Sequence, residues 1–152
     1  NMAVDGVLSS VKVGFSEASP PTWTKVPQLT NLGFPEFSPD EVDTTVYGSR
    51  YKRYIRGLID VGEMTLECIA DLGATSVHRT LRQKQLDGTT MTWRVEIAED
   101  RAWSSWAGWE FRGWVKSWNL STDQGDVVKL TITVRFDDTT ITESAPGSSE
   151  LN

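Results

Sequence analysis

The chain has 152 residues, a formal net charge of −6, 38% apolar and 24% charged residues, one histidine and one cysteine. That length fits one domain with a sizeable core, and the acidic balance argues against a sequence-reading nucleic-acid binder, which needs a basic patch to neutralise phosphates. A lone cysteine excludes an internal disulfide framework. No apolar run approaches the roughly 18 residues of a membrane span and no charged-then-apolar leader opens the chain, so it reads as the soluble product of a reducing cytosol.

Alternation with period 2, the signature of half-buried strands, begins at Val7 to Phe15, where Val7, Val11, Val13 and Phe15 share one face. Ser16 to Asp40 holds five of the six prolines and reads as loop, with a short strand around Trp23 to Val26. From Val42 a polar, Thr-rich strand meets the basic, aromatic Arg50-Tyr51-Lys52-Arg53-Tyr54 and the turn Gly57-Leu58-Ile59-Asp60-Val61-Gly62. A strand follows with Met64, Leu66 and Cys68 on one face and Glu63, Thr65 and Glu67 on the other. Residues 40–60 are too polar for core and too patterned for a linker, so they read as an arm that lies on another surface. Its candidate contact residues are Thr44, Thr45, Tyr47, Arg50, Tyr51, Lys52, Arg53, Tyr54 and Arg56: cations for acidic partners and tyrosines for anchors.

Residues 74–86 contain neither Gly nor Pro, and Ala74, Val77 and Leu81 fall at helical spacing with Arg79, Arg82 and Lys84 off that stripe. This predicts a short amphipathic helix, stopped by Gly88. Three alternating segments follow: Met91, Trp93, Val95 and Ile97; then Trp109, Phe111 and Val115; then Val128, Leu130, Ile132, Val134 and Phe136. Asp87-Gly88, Glu99-Asp100 and 122–126 supply turns. The tail, residues 139–152, offers an edge strand at Thr139–Thr142 and otherwise a flexible run. The expected fold is a mainly β single domain over residues 1–152. It is a β-sandwich or barrel of about seven or eight antiparallel strands with one short α-helix and an extended loop or hairpin arm.

Catalytic chemistry is scarce. His78 lies on the helix and reads as a surface or interface histidine, not a base, and no zinc spacing, phosphate cradle or nucleophile elbow occurs. Cys68 reads as a buried structural thiol. Asp137-Asp138 and Glu99-Asp100 read as solvated acids at strand ends. Neither a catalytic residue, a metal ligand nor a cofactor is expected, so the chain does not read as an enzyme. Five of the seven tryptophans fall between Trp103 and Trp118. Trp103, Trp106, Trp114 and Trp118 are candidate interface aromatics; the alternative is a carbohydrate-binding β-sandwich that stacks exposed rings on sugars.

The order Trp23-Thr24-Lys25-Val26, Gly33-Phe34-Pro35, Val42-Asp43-Thr44-Thr45, the Arg/Tyr segment, the Gly57-to-Gly62 turn (Gly57, Leu58, Asp60 and Gly62 foremost), the single helix, the 109–115 strand and the final 127–136 strand carries a resemblance. The chain resembles the tail tube (major tail) proteins of long-tailed bacteriophages, related in fold to the type VI secretion tube protein, which stands as a further alternative. The resemblance covers roughly Ser9 to Asp138. It implies a structural virion protein of the phage tail, self-assembling in the host bacterial cytoplasm into stacked hexameric rings. The inner sheets of those rings join edge to edge around a lumen. Its partners would be copies of itself, the tape measure, terminator and tail tip proteins, and double-stranded DNA as a non-specific passenger, with no membrane anchor. Glu63, Thr65 and Glu67 are candidate lumen-facing residues. Six copies at −6 would carry about −36 per ring, enough to repel DNA if part of it faced the lumen.

Overall fold

The computed structural model describes residues 7–34, 44–47, 52–56, 62–137, 140–144 and 149–151, with 44–47, 52–56 and 140–144 as backbone strands. Ten strands and one helix follow in chain order: β1 (Val11–Ser16), β2 (Thr24–Lys25), β3 (Leu29–Gly33), β4 (Thr44–Tyr47), β5 (Lys52–Arg56), β6 (Glu63–Ile69), α1 (Val77–Asp87), β7 (Thr90–Ala98), β8 (Trp106–Thr122), β9 (Val128–Phe136) and β10 (Thr140–Ser144). The protein is mainly β, and among the described residues all strand pairs are antiparallel.

Strand β8, 17 residues long, organises the fold. Along one edge, residues 106–114 pair with β7, which leads on to β1 and β2. The opposite edge carries two neighbours in succession: β10 pairs at Gly108–Glu110 and leads to β5 and β4, and β9 pairs from Gly113 to Thr122 and leads to β6 and β3. A register shift between Val115 and Ser117 separates the two halves. An extra residue of this kind bends a strand and increases its twist, which lets β8 belong to two sheet arms. The arms share one core: Val13, Phe15, Met91, Trp93 and Phe111 from the first meet Met64, Leu66, Leu130, Ile132 and Val134 from the second. The sheet is open, not a closed barrel, among the described residues.

Helix α1 begins where Ser76 accepts a hydrogen bond from the Arg79 N–H at 3.1 Å, while the Ser76 hydroxyl donates to the Asp71 carbonyl at 2.7 Å. The expected start at Ala74 is thus a turn, because the side-chain cap sits two residues later. Gly88, with φ of +68°, ends the helix as expected. Leu81 is fully buried and ties the helix to the core.

Other expectations change with the fold. The proline-rich stretch contains β3 as well as β2, and β3 pairs with β6 along a bulged register. Strand β10 is not an edge: it lies between β8 and β5. Within the run expected to be flexible, Ser149 to Leu151 packs against the first sheet arm, with Leu151 buried.

Candidate assembly surfaces

The polar arm is built as a hairpin at the free end of the first sheet arm. Thr44 stands opposite Ile55, Thr45 opposite Tyr54, Val46 opposite Arg53 and Tyr47 opposite Lys52. Strand β5 in turn lies against β10, with Glu143 in register with Arg53 and Thr140 with Arg56. The backbone therefore gathers Thr44, Thr45, Tyr47, Lys52, Arg53, Tyr54 and Arg56 into one two-stranded unit at a sheet edge. Arg50, Tyr51, Gly57, Leu58 and Asp60 lie outside the described residues. Gly62 is buried, and its carbonyl accepts the Phe136 N–H at 3.1 Å.

The second sheet arm, β3–β6–β9 with the later half of β8, presents the other candidate surface. Its inner face is core: Met64, Leu66 and Cys68 alternate with Glu63, Thr65 and Glu67 as the sequence predicts. The outer face places Thr65 beside Thr133 and Ser117, and Glu67 beside Asn31, Thr131 and Asn119. Glu63 does not stand as an isolated acid. Lys116 Nζ lies 2.7 Å and Arg135 Nη1 3.9 Å from its Oε1, and Asn31 Nδ2 donates to Glu67 Oε2 at 2.6 Å. Two sides of this arm carry no strand: β3 pairs with β6 alone, and β8 beyond Trp114 pairs with β9 alone, among the described residues. The β8 side is partly covered by α1, whose Gln85 side chain donates to the Lys116 carbonyl at 3.2 Å.

The tryptophans divide by use. Trp106 is buried, with its ring 6.2 Å from that of Trp103. Trp103 donates to the Ser9 carbonyl at 2.8 Å, and Lys12 Nζ sits 4.0 Å from its ring centroid. Trp118 is turned to the core side by the β8 bulge, opposite Ile132, and donates to the His78 carbonyl at 2.9 Å under the Arg82 guanidinium. Trp114 is half-buried beside Arg135. No tryptophan is among the large exposed apolar side chains, so the rings do not form the flat, open platform that sugar stacking needs.

His78 is fully buried, not at the surface. Its Nδ1 accepts the Asp71 N–H at 2.9 Å and its Nε2 faces the Pro27 carbonyl at 2.9 Å, so the neutral Nε2–H tautomer ties two loops together. Burial pushes its pKa below the ordinary histidine value, against the raising effects of the Pro27 bond and Asp71. Cys68 is likewise buried; desolvation first, and the Glu67 carboxylate second, push its thiol up to about 12, so it is no nucleophile at neutral pH.

Alternation misassigned one group. Arg94 and Glu96, expected on a wet strand face, are 2% and 0% exposed. Arg94 Nε meets Glu96 Oε2 at 2.6 Å, and its Nη1 meets Glu110 Oε2 at 2.6 Å and Glu150 Oε2 at 3.2 Å. Opposite charges two residues apart on one strand face were the available signal. Among the described residues no cluster of His, Cys, Asp and Glu could hold a metal, and no helix is long and apolar enough to cross a membrane.

A mainly β domain with a polar hairpin on one sheet edge and, among the described residues, a second arm open on two sides has the anatomy of a subunit able to associate through its strand edges. Over residues 13–143 the chain matches the family model described as phage tail tube, TTP, lambda-like, and it belongs to that family. It is therefore a structural component of the bacteriophage virion tail and not an enzyme. Among solved structures it is similar to the SPP1 tail tube determined by solid-state NMR and cryo-EM. The TM-score is 0.56 at 12% identity, over 93% of this chain and 81% of that one. No curated protein matches it in sequence. The family match favours the phage tube over the type VI secretion tube and the sugar-binding module.

Proposed function

We propose that copies of this tail tube protein close into hexameric rings, that the rings stack into a hollow tube, and that double-stranded DNA passes through it without sequence-specific contact. The observation that carries this reading is the second sheet arm. It has a core-facing side, a polar outer side and, among the described residues, no strand beyond β3 or beyond the later half of β8. Unpaired strand edges favour pairing with another chain, and repeated pairing of one edge with a different one gives a heterologous interface that closes as a ring. In that ring Glu63, Thr65 and Glu67 lie on the channel wall. The arm, with Thr44, Thr45, Tyr47, Arg50, Tyr51, Lys52, Arg53, Tyr54 and Arg56, reaches an adjacent subunit or ring. The part-exposed rings of Trp103, Trp114 and Trp118 supply aromatic contact. The tape measure, terminator and tail tip proteins are the other partners, and assembly takes place in the host cytoplasm.

Negative-stain electron microscopy of concentrated protein tests the reading, beside a variant lacking Thr45–Arg53. Rings or hollow tubes from the full chain and none from the variant are expected. Monodisperse globules from the full chain at high concentration would overturn self-assembly, and tubes from both would remove the hairpin's role.

A further inference from the structure

Residues 149–151 belong to neither strand nor helix, yet they are held on the outer face of the β1–β7–β8 sheet by contacts specific to their side chains. The Ser149 hydroxyl accepts from Lys12 Nζ at 3.3 Å and donates to Glu96 Oε1 at 2.5 Å. The Glu150 N–H donates to Glu96 Oε2 at 3.1 Å, and its carboxylate meets Arg94 Nη1 at 3.2 Å. Leu151 is 2% exposed and lies over Gly14; a Cβ there would stand 2.5 Å from Leu151 Cδ2. Glycine at this strand position thus makes room for the leucine.

We propose that this face is a binding site for an extended Ser-Glu-Leu segment. In the free subunit the chain's own residues 149–151 fill it, and it takes the same segment in trans when they are withdrawn. The chemistry is selective at each position. The buried Glu96 carboxylate presents one oxygen to a hydroxyl and the other to a backbone N–H. Arg94 and Lys12 favour an acid preceded by a small hydroxyl residue, and the Gly14 hollow takes one aliphatic side chain. Chain reach allows filling in cis. Ser144 and Glu96 are both in register with Gly108 on opposite sides of β8, about 10 Å apart by strand spacing, and the five peptide steps to Ser149 span up to roughly 17 Å. The site goes beyond tube formation and stands whether or not the chain forms tubes.

Because the segment belongs to the same chain as the site, its effective concentration there is on the order of millimolar. A strap that is closed in the free chain must therefore bind in trans with a Kd below that. The test uses the full chain carrying Ser149→Ala and Leu151→Asp, probed with a fluorescein-labelled Gly-Ser-Ser-Glu-Leu-Asn peptide by polarisation. Sub-millimolar binding to the variant is expected, with binding to the unaltered chain at least about twofold weaker because its site is filled. The same peptide carrying Leu151→Asp should also bind the variant at least about tenfold more weakly. Absence of binding at several times millimolar peptide, equal binding to both proteins, or equal binding of both peptides would overturn the proposal. Hydrogen exchange of the Glu150 amide in the unaltered chain gives an independent reading if the variant misfolds. Slowing by about tenfold or more is expected, and exchange at the unprotected rate would sink the idea.

Discussion

Replacing Arg94 by leucine tests how the buried charges hold the first sheet arm. The substitution leaves three carboxylates around an apolar side chain. Glu110 and Glu150 are 21% and 50% exposed and can turn to water, but Glu96, at 0%, cannot. Breaking a buried pair by removing one partner costs about 3–5 kcal/mol, because the remaining ion stays desolvated. Ser149 and the Glu150 N–H still bond to Glu96, which places Arg94→Leu near the lower end, about 3 kcal/mol. With a urea slope of about 2 kcal/mol/M for a chain of this size, the unfolding midpoint should fall by about 1.5 M. Adding Glu96→Leu removes the stranded charge. The double variant should recover to within about 1–2 kcal/mol of the parent, since apolar replacements of buried pairs are often neutral. A single variant costing under about 1 kcal/mol, or a double variant as unstable as both single losses summed, would refute the reasoning.

Three further outcomes follow from local chemistry. His78 has a folded pKa below its unfolded value of 6.5, so the unfolded chain binds the proton first. Stability should be full above pH 6.5 and fall as acid is added below it; a His78→Gln variant with the same acid dependence would exclude this cause. Cys68 is raised from 9.0 to about 12, so its contribution is intact below pH 9.0 and declines from there towards pH 12, and a disulfide reagent at neutral pH should leave the native thiol unmodified. Gly88→Ala meets no atom within 4 Å but must hold φ of +68°, which should cost about 1 kcal/mol and lower Tm by about 2–4 °C; an unchanged Tm would contradict the cap.

The elements legible in the sequence are those whose partners lie on one face only. Strands β6 and β9 alternate cleanly because one side of each is core and the other polar. Strand β3 escaped because the bulge between Leu29 and Asn31 puts Leu29 and Leu32 out of period. The second bulge, after Val115, hid the true length of β8 and turned Trp118 towards the core side. β10 reads Thr-Ile-Thr-Glu-Ser and carries little apolar signal; it is held by backbone pairing on both sides. Arg94 and Glu96 followed the alternation but are covered by residues more than fifty positions away, which no local pattern records. The candidate assembly surfaces rest on residue types in the arm and on β6, whereas the charge pairing of Glu63 depends on the register of β8 and β9 with β6.

That pairing changes what the net charge of −6 implies for the proposed channel wall. On the outer face of the second arm Glu63 and Glu67 stand among Lys116, Lys129 and Arg135, and Glu63 lies within 4.0 Å of two of those cations. Exposed ion pairs contribute little stability, so their main physical effect here is on the field: the Glu63 carboxylate answers both Lys116 and Arg135. Lys129 is likewise paired, with Asp123 at 3.2 Å. A phosphate chain moving past such a wall finds hydroxyl and amide groups from Thr65, Thr133, Ser117, Asn31 and Asn119, and few cations free to release counter-ions. Glu63→Gln removes the acid shared by Lys116 and Arg135 and should convert the face into one that retains DNA. Filter binding of duplex DNA across a salt series measures this, and the slope of log K against log salt should steepen by about one to two units relative to the parent. Equal slopes for both proteins would mean that the paired charges play no part in how DNA meets this face.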